Sequence, residues 1–265
     1  MCLKHVPDIQ SERALGSDNR MVRGAEDGTL NELDEYAVEA ALSLVEAQTA
    51  AGTPGEVVVL TVGPAEAVGA VRKGLQLGAA QAVHVQDDAV AGSDALGTAR
   101  VLAAAVRHLD AQAPVDLVVT GMAGLDGLTS LVPAALAAEL GLPVLPLASE
   151  LTVDGSTRTV RVRRDLDHAT EVLQAPLPAV VSVTDQANRP RYPNFQGIMA
   201  ARSMPVTTLT LADLSVDSAT VGSDAARTEV LSAAPRPPRE DRVLVTDEGD
   251  AGVRLAAYLV DRGLA

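Results

Sequence analysis

Val115-Asp-Leu-Val-Val-Thr120 runs directly into Gly121-Met-Ala-Gly124-Leu-Asp126-Gly127, and that into Thr129–Leu140. The first piece is a continuous apolar run, which predicts a strand buried on both faces. The last is apolar at helical spacing, and Gly141-Leu-Pro143 stops it. Strand, glycine-rich turn and helix together form half of a parallel crossover unit. In such a sheet, ligands bind beyond the carboxyl ends of the strands, so the 121–127 turn is a candidate phosphate site. Glycines let backbone N–H groups approach an anion, and the helix N-terminus adds about half a positive charge. The spacing is neither a P-loop nor a dinucleotide G-x-G-x-x-G.

The same grammar extends upstream. Glu56–Val62 (EVVVLTV) is a buried-strand run closed by Gly63-Pro64, Ala65–Leu77 is helical with Gly78 as C-cap, and Gln81–Val85 is a strand. Ser93–Leu109 is a helix started by Ser93 or Asp94. Asn31–Gln48 has the clearest 3.6-residue period, with Asn31 as cap and Asp34 three residues on. Met1–Val6 is a short first strand closed by Pro7-Asp8, and residues 8–30 read as a long polar loop. Cys2, the Asn31–Asp34 helix start, Val62-Gly63 and the 121–127 turn would converge at one carboxyl edge and make a pocket.

Downstream the pattern changes. Glu150–Val153, Thr159–Arg164 and Glu171–Gln174 alternate with period 2, and Asp154-Gly155 is a turn, which predicts an antiparallel excursion. Arg161, Arg163 and Arg164 read as its solvated face. Ala179–Val183 returns as a buried strand. Residues 186–205 are a polar loop, with a helical turn at Ile198–Arg202. Beyond 206 periodicity fades into a Pro-rich linker, 233–240, an acidic patch (Asp247, Glu248, Asp250) and a final helix, Val253–Arg262. The fold class is therefore α/β: a doubly wound, mostly parallel sheet with a small antiparallel excursion and an extended C-terminal arm. Residues 1–205 would form one domain carrying the candidate phosphate site and, within it, a loop at 186–202, and 206–265 an arm suited to wrapping a partner.

Composition narrows the function. The 265 residues are 47% hydrophobic, enough for a core, and carry a net charge of −14, which repels phosphate backbones and argues against nucleic acid. One Cys and four scattered His residues leave no disulfide framework and no metal site. No apolar run is long enough for a membrane span and no leader pattern opens the chain, so a cytoplasmic protein is expected. Neither His5 nor Cys2 stands in a catalytic pattern. There are only four aromatic residues (Tyr36, Tyr192, Phe195, Tyr258) and no Trp, so the core must be Ala, Val and Leu. Two of the four lie within four residues of each other on the 190–199 segment, as docking anchors do.

These residues resemble the beta subunit of electron-transfer flavoprotein, of the actinobacterial type. The carriers are Leu3–Asp8, Leu30–Glu39, Val62-Gly63-Pro64, Arg72–Leu75, Leu77–Ala79, Gly121–Gly127 leading to Val132-Pro133, Leu177–Val181, Arg191-Tyr192-Pro193, Gly197–Ala201 and Val245–Gly252, in order along nearly the whole chain. The resemblance implies a Rossmann-like, adenine-nucleotide-hydrolase-like domain. It implies a heterodimer with an alpha subunit that holds the redox-active FAD. It also implies AMP, or a second FAD, in this chain. The contacts would fall on Cys2, Asn31, Asp34, Val62, Gly121, Gly124, Asp126, Gly127, Leu128, Thr129, Ser130, Leu131 and Val132. Ile9 and Leu33 would lie near the partner's flavin. Arg191, Tyr192, Phe195, Ile198 and Met199 would dock a donor flavin dehydrogenase, with Phe195 as inserted anchor. Electrons would pass on to a membrane quinone reductase without membrane insertion of this chain. The protein would be an electron carrier rather than an enzyme, since the flavin carries the chemistry. The alternative is a stand-alone adenine-nucleotide-binding regulatory module of universal-stress-protein type, although such modules are shorter and lack the post-150 excursion and the arm.

Overall fold

A computed structural model of the chain describes residues 1–11, 14–23, 27–234, 236–238, 244 and 246–264. Parts of the Pro-rich 233–240 stretch, and Val245 of the resembling Val245–Gly252 segment, lie outside these. The elements run β1 His5–Pro7, β2 Gly28–Leu30, α1 Glu32–Ala50, β3 Val58–Val62, α2 Val68–Leu77, β4 Gln81–Val85, α3 Ala95–Asp110, β5 Leu117–Gly121, α4 Val132–Leu140 and β6 Val144–Ala148. They continue with β7 Glu150–Asp154, β8 Thr159–Leu166, β9 Ala169–Pro176, β10 Ala179–Val183, α5 Phe195–Ser203, β11 Thr207–Leu209 and α6 Ala251–Asp261. Two compact units result, Met1–Leu231 and Ser232–Ala265.

In the first unit, β11-β4-β3 and β5-β10-β6 are two parallel three-stranded sheets. The N-terminal segment joins them. Cys2 bridges Leu60 in parallel, the N–H of Leu3 donates to Leu60 O at 2.8 Å, and the N–H of Cys2 donates to Val119 O at 3.0 Å. From this central segment the chain builds outward to β3 and β4, then returns to the other side at β5. The strand order reverses there. Alternate residues of each strand face opposite sides. Val59, Val119 and Val181 pack with α1 and α2, whereas Leu60, Val118 and Val180 pack with α3 and α4. The sheet is thus covered on both faces, mostly by Ala, Val and Leu, as the scarcity of rings requires. Antiparallel β7-β8-β9 adds Val160, Val162 and Ala175 to the α1 side.

Several elements differ from the sequence-based expectation, each for a local reason. The first strand divides into the bridging Met1–Leu3 segment and a small antiparallel ribbon, β1 with β2, so the 8–30 loop is not wholly irregular. The helix expected from Thr129 begins at Val132. Leu128 (φ 48°) and Ser130 (φ 50°) take left-handed backbone that cannot belong to a helix. β6 is an added strand. Pro146 interrupts its pattern but is tolerated because β6 lies at the sheet edge. The turn expected at 198–202 is a full helix from Phe195, because Asn194 Oδ1 caps it by accepting the Gly197 N–H at 2.7 Å. β11 and the chain to Leu231 belong to the first unit, so that body extends past residue 205.

In the second unit, α6 opens where the Asp247 carboxylate accepts the N–H groups of Gly249 (2.8 Å) and Ala251 (3.0 Å). None of its residues is buried, and Val253, Leu255 and Val260 are exposed. Among the described residues no helix is long and apolar enough to cross a membrane.

Candidate nucleotide site and docking surface

The site stands at the carboxyl edge where the strand order reverses. Three segments meet there: Lys4 after the central segment, Asn31–Asp34 at the start of α1, and the loop after β5. The sequence pattern makes Asn31 a helix cap, but its side chain caps nothing. Fully buried, it reaches across to the glycine-rich loop. Its Nδ2 donates to Ala123 O at 2.9 Å, and its Oδ1 accepts the Leu125 N–H at 3.0 Å. Asp34 is not part of a capping box either. Its Oδ2 accepts the Lys4 N–H at 2.7 Å. Asn31 thus ties the start of α1 to the loop, and Asp34 ties it to Lys4.

Gly121 permits the close approach. A Cβ there would fall on Asp34 Oδ1 and lie 2.8 Å from Leu33 O. Burial pushes the Asp34 carboxyl up to about 7, against the N–H groups of Lys4 and Gly121 and the Asn31 side chain, which favour the ionised form. The unfolded carboxyl titrates near ~3.9, so the folded protein holds this proton more tightly between about pH 4 and 7. Stability therefore declines as pH rises through that window. Asp34→Asn removes the titration, and its thermal midpoint is expected to vary less between pH 5 and pH 8 than the parent's. An unchanged pH profile would exclude Asp34 as the source.

Asp126 is the electrostatic centre. Its side chain is fully buried between two half-exposed cations: Lys4 Nζ lies 2.7 Å from Oδ1, and Arg23 Nε donates to Oδ2 at 2.8 Å. Burial alone would raise its pKa, but Lys4 and Arg23 outweigh that and hold the carboxyl below the usual range. Two cations on one carboxylate leave one positive charge in excess over Asp126 itself. Neither Lys4, inside the short first strand expected over Met1–Val6, nor Arg23, in the polar loop after it, carried a signal that pointed to this site.

Past Asp126, Gly127, Leu128, Thr129, Ser130 and Leu131 are exposed, Val132 is half-buried, and no side chain caps α4. The Thr120 hydroxyl at the end of β5 is buried with no partner among the described residues. Cys2 is buried in the sheet, where burial pushes its thiol up and away from nucleophilic use. Val62 is half-buried at the end of β3. Of the two positions expected near a partner flavin, Ile9 is exposed and Leu33 is buried.

The second feature lies on α5 and the chain before it. Tyr192 is 94% and Phe195 77% exposed, and Met199 is also exposed. Ile198 is half-buried. Arg191 is partly exposed, and its guanidinium is held by Glu39 and Glu46 of α1.

Comparison with known proteins matches residues 19–214 to the electron transfer flavoprotein domain. The chain is 42% identical over 259 residues to the electron transfer flavoprotein subunit beta of Mycobacterium tuberculosis (strain ATCC 25618 / H37Rv), covering 97% of this chain and 96% of the relative. It is 29% identical over 253 residues to the subunit of the same name from Megasphaera elsdenii, covering 94% and 92%. To the Caffeyl-CoA reductase-Etf complex subunit CarD of Acetobacterium woodii it is 30% identical over 247 residues, covering 93% and 90%. A family match over most of the chain and near-complete coverage at 42% identity agree with the parallel sheet and the reversal-point loop: the chain belongs to the electron transfer flavoprotein family, among its beta subunits.

Proposed function

We propose that this chain is the beta half of a heterodimeric cytoplasmic electron carrier. It would take electrons from flavin dehydrogenases such as acyl-CoA dehydrogenases, through FAD held mainly by an alpha subunit, to a membrane quinone reductase. It would hold an AMP, or a second FAD, of its own.

One observation carries the nucleotide part. Where the strand order reverses, β5 delivers a glycine-rich loop into the uncapped start of α4, with the Thr120 hydroxyl buried and unpartnered at its base. An unsatisfied buried hydroxyl costs roughly 1–3 kcal/mol, which a bound polar group would recover. The residues present fit a phosphate ester. The backbone of 127–132 and the Thr129 and Ser130 hydroxyls would hold it, and the α4 N-terminus and the excess charge of Lys4 and Arg23 over Asp126 would favour the anion. Asn31 and Asp34 would keep that loop in shape. The flavin supplies the reversible acceptance of electrons, and this chain supplies binding, orientation and docking. The exposed apolar side chains of α6 are suited to burial against a second subunit.

Mass spectrometry of small molecules released from the protein co-purified with its alpha subunit tests the proposal. A yellow complex releasing AMP or FAD is expected. A colourless homodimer releasing ATP would overturn it in favour of a regulatory module. Thr129→Val removes a hydroxyl placed on the phosphate, at ~1 kcal/mol. Nucleotide content of that variant complex is expected to fall about fivefold, and full content would remove Thr129 from the site.

A further inference from the structure

Arg191 belongs to the segment that would dock a dehydrogenase, yet none of its guanidinium nitrogens is free. Nε donates to Glu39 Oε2 at 2.7 Å and Nη2 to Glu39 Oε1 at 2.9 Å. Nη1 donates to Glu46 Oε1 at 2.6 Å, and Nη2 also to Glu46 Oε2 at 3.1 Å. The Arg191 backbone N–H donates to Glu39 Oε2 as well, at 3.1 Å. Glu39 is itself mostly buried and accepts from Ser43 Oγ at 2.9 Å. Arginine's planar fork suits this two-carboxylate arrangement and lysine's point charge does not. Arg191 holds both carboxyls below their usual range, so the arrangement stays ionised at ordinary pH.

The other end of the segment is fixed to α2. Arg72 Nη1 donates to Ala201 O at 2.8 Å and to Met204 O at 2.6 Å, closing the C-terminal end of α5. A Cβ on Gly197 would meet Gln76 O at 2.6 Å, so α5 lies directly on the last turn of α2. Between these fixtures, Tyr192, Phe195 and Met199 remain exposed.

We infer that Arg191 is a positioning residue: clamped to Glu39 and Glu46 of α1, it presets the pose of Tyr192 and Phe195 so that the dehydrogenase meets an already ordered apolar anchor. This rests on the docking reading of the 191–199 segment and changes the part Arg191 plays in it, from contact to support. A preset anchor lowers the ordering cost of association.

The test uses the complete alpha–beta complex with a flavin dehydrogenase as electron donor, and a double-mutant cycle of Arg191→Ala with Phe195→Ala. Arg191→Ala is expected to raise the KM for the complex about tenfold with less than about twofold loss of kcat. In the Phe195→Ala background the same change is expected to add less than about twofold, since its effect runs through that ring. Hydrogen exchange of the complex gives a donor-free readout. Amides of 192–203 should exchange faster in Arg191→Ala while those of 121–131 keep the parental rate. Arg191→Lys should recover little of either signal. Additive kinetics in the cycle, or unchanged exchange across 192–203, overturns the positioning role. Faster exchange with parental kinetics in Phe195→Ala also overturns it, by removing docking itself while leaving the clamp intact.

Discussion

Gly121→Ala is expected to destabilise the Met1–Leu231 unit by ~2–3 kcal/mol, the range for forcing a methyl group into filled space. The added Cβ meets Asp34 Oδ1 and the Leu33 carbonyl oxygen, and neither can yield cheaply. Leu33 O is backbone in the first turn of α1, and that turn is tied to the central segment by the Asn31 N–H to Lys4 O (2.9 Å) and by Asp34 Oδ2 to the Lys4 N–H. The loop must therefore move instead, which breaks Asn31's two bonds to Ala123 and Leu125. At roughly 2–4 °C per kcal/mol for a domain of this size, calorimetry should show the thermal midpoint falling by about 5–10 °C. Nucleotide should be lost with it. A midpoint within a degree of the parent would show that the loop and α1 do not meet as described.

Phe195→Ala is expected to lower kcat/KM for reduction of the complex by its dehydrogenase about ten- to a hundredfold. The ring is the first residue of α5 and largely exposed, so folding gains little from it. Full burial of a Phe side chain in a partner's pocket contributes ~1.5–3 kcal/mol, which sets the range. Because the residue is exposed, stability should stay within about ±0.5 kcal/mol. The bound flavin's absorption spectrum should match the parent's. Transfer at the parental rate would end the docking proposal.

The alternation of buried strands and crossover helices was legible because strands covered on both faces are unbroken apolar runs. Gln81–Val85 and Ala179–Val183 occupy the residues their composition indicates, and the period-2 excursion after 150 forms β7, β8 and β9. Spacing could not reveal partners distant in the chain. Asn31 has the form of a local cap, but its side chain binds residues 92 and 94 positions away. Arg191 has the form of an exposed contact, yet is held 145 and 152 positions away. The start of α4 was overextended because Leu128 and Ser130 are not glycine, so nothing in the pattern marked their left-handed backbone. The loop itself, with Asp126 and its glycines, was visible from composition alone. What held it in place was not, apart from the Asn31–Asp34 segment as a neighbour at the right edge.

A core assembled without a single indole leaves this polypeptide with no tryptophan emission of its own. A bound isoalloxazine, which emits in the visible, would be seen against that quiet background. One indole engineered at position 192 would then act as the chain's sole reporter, its emission colour tracking whether that spot is wet or covered by another protein.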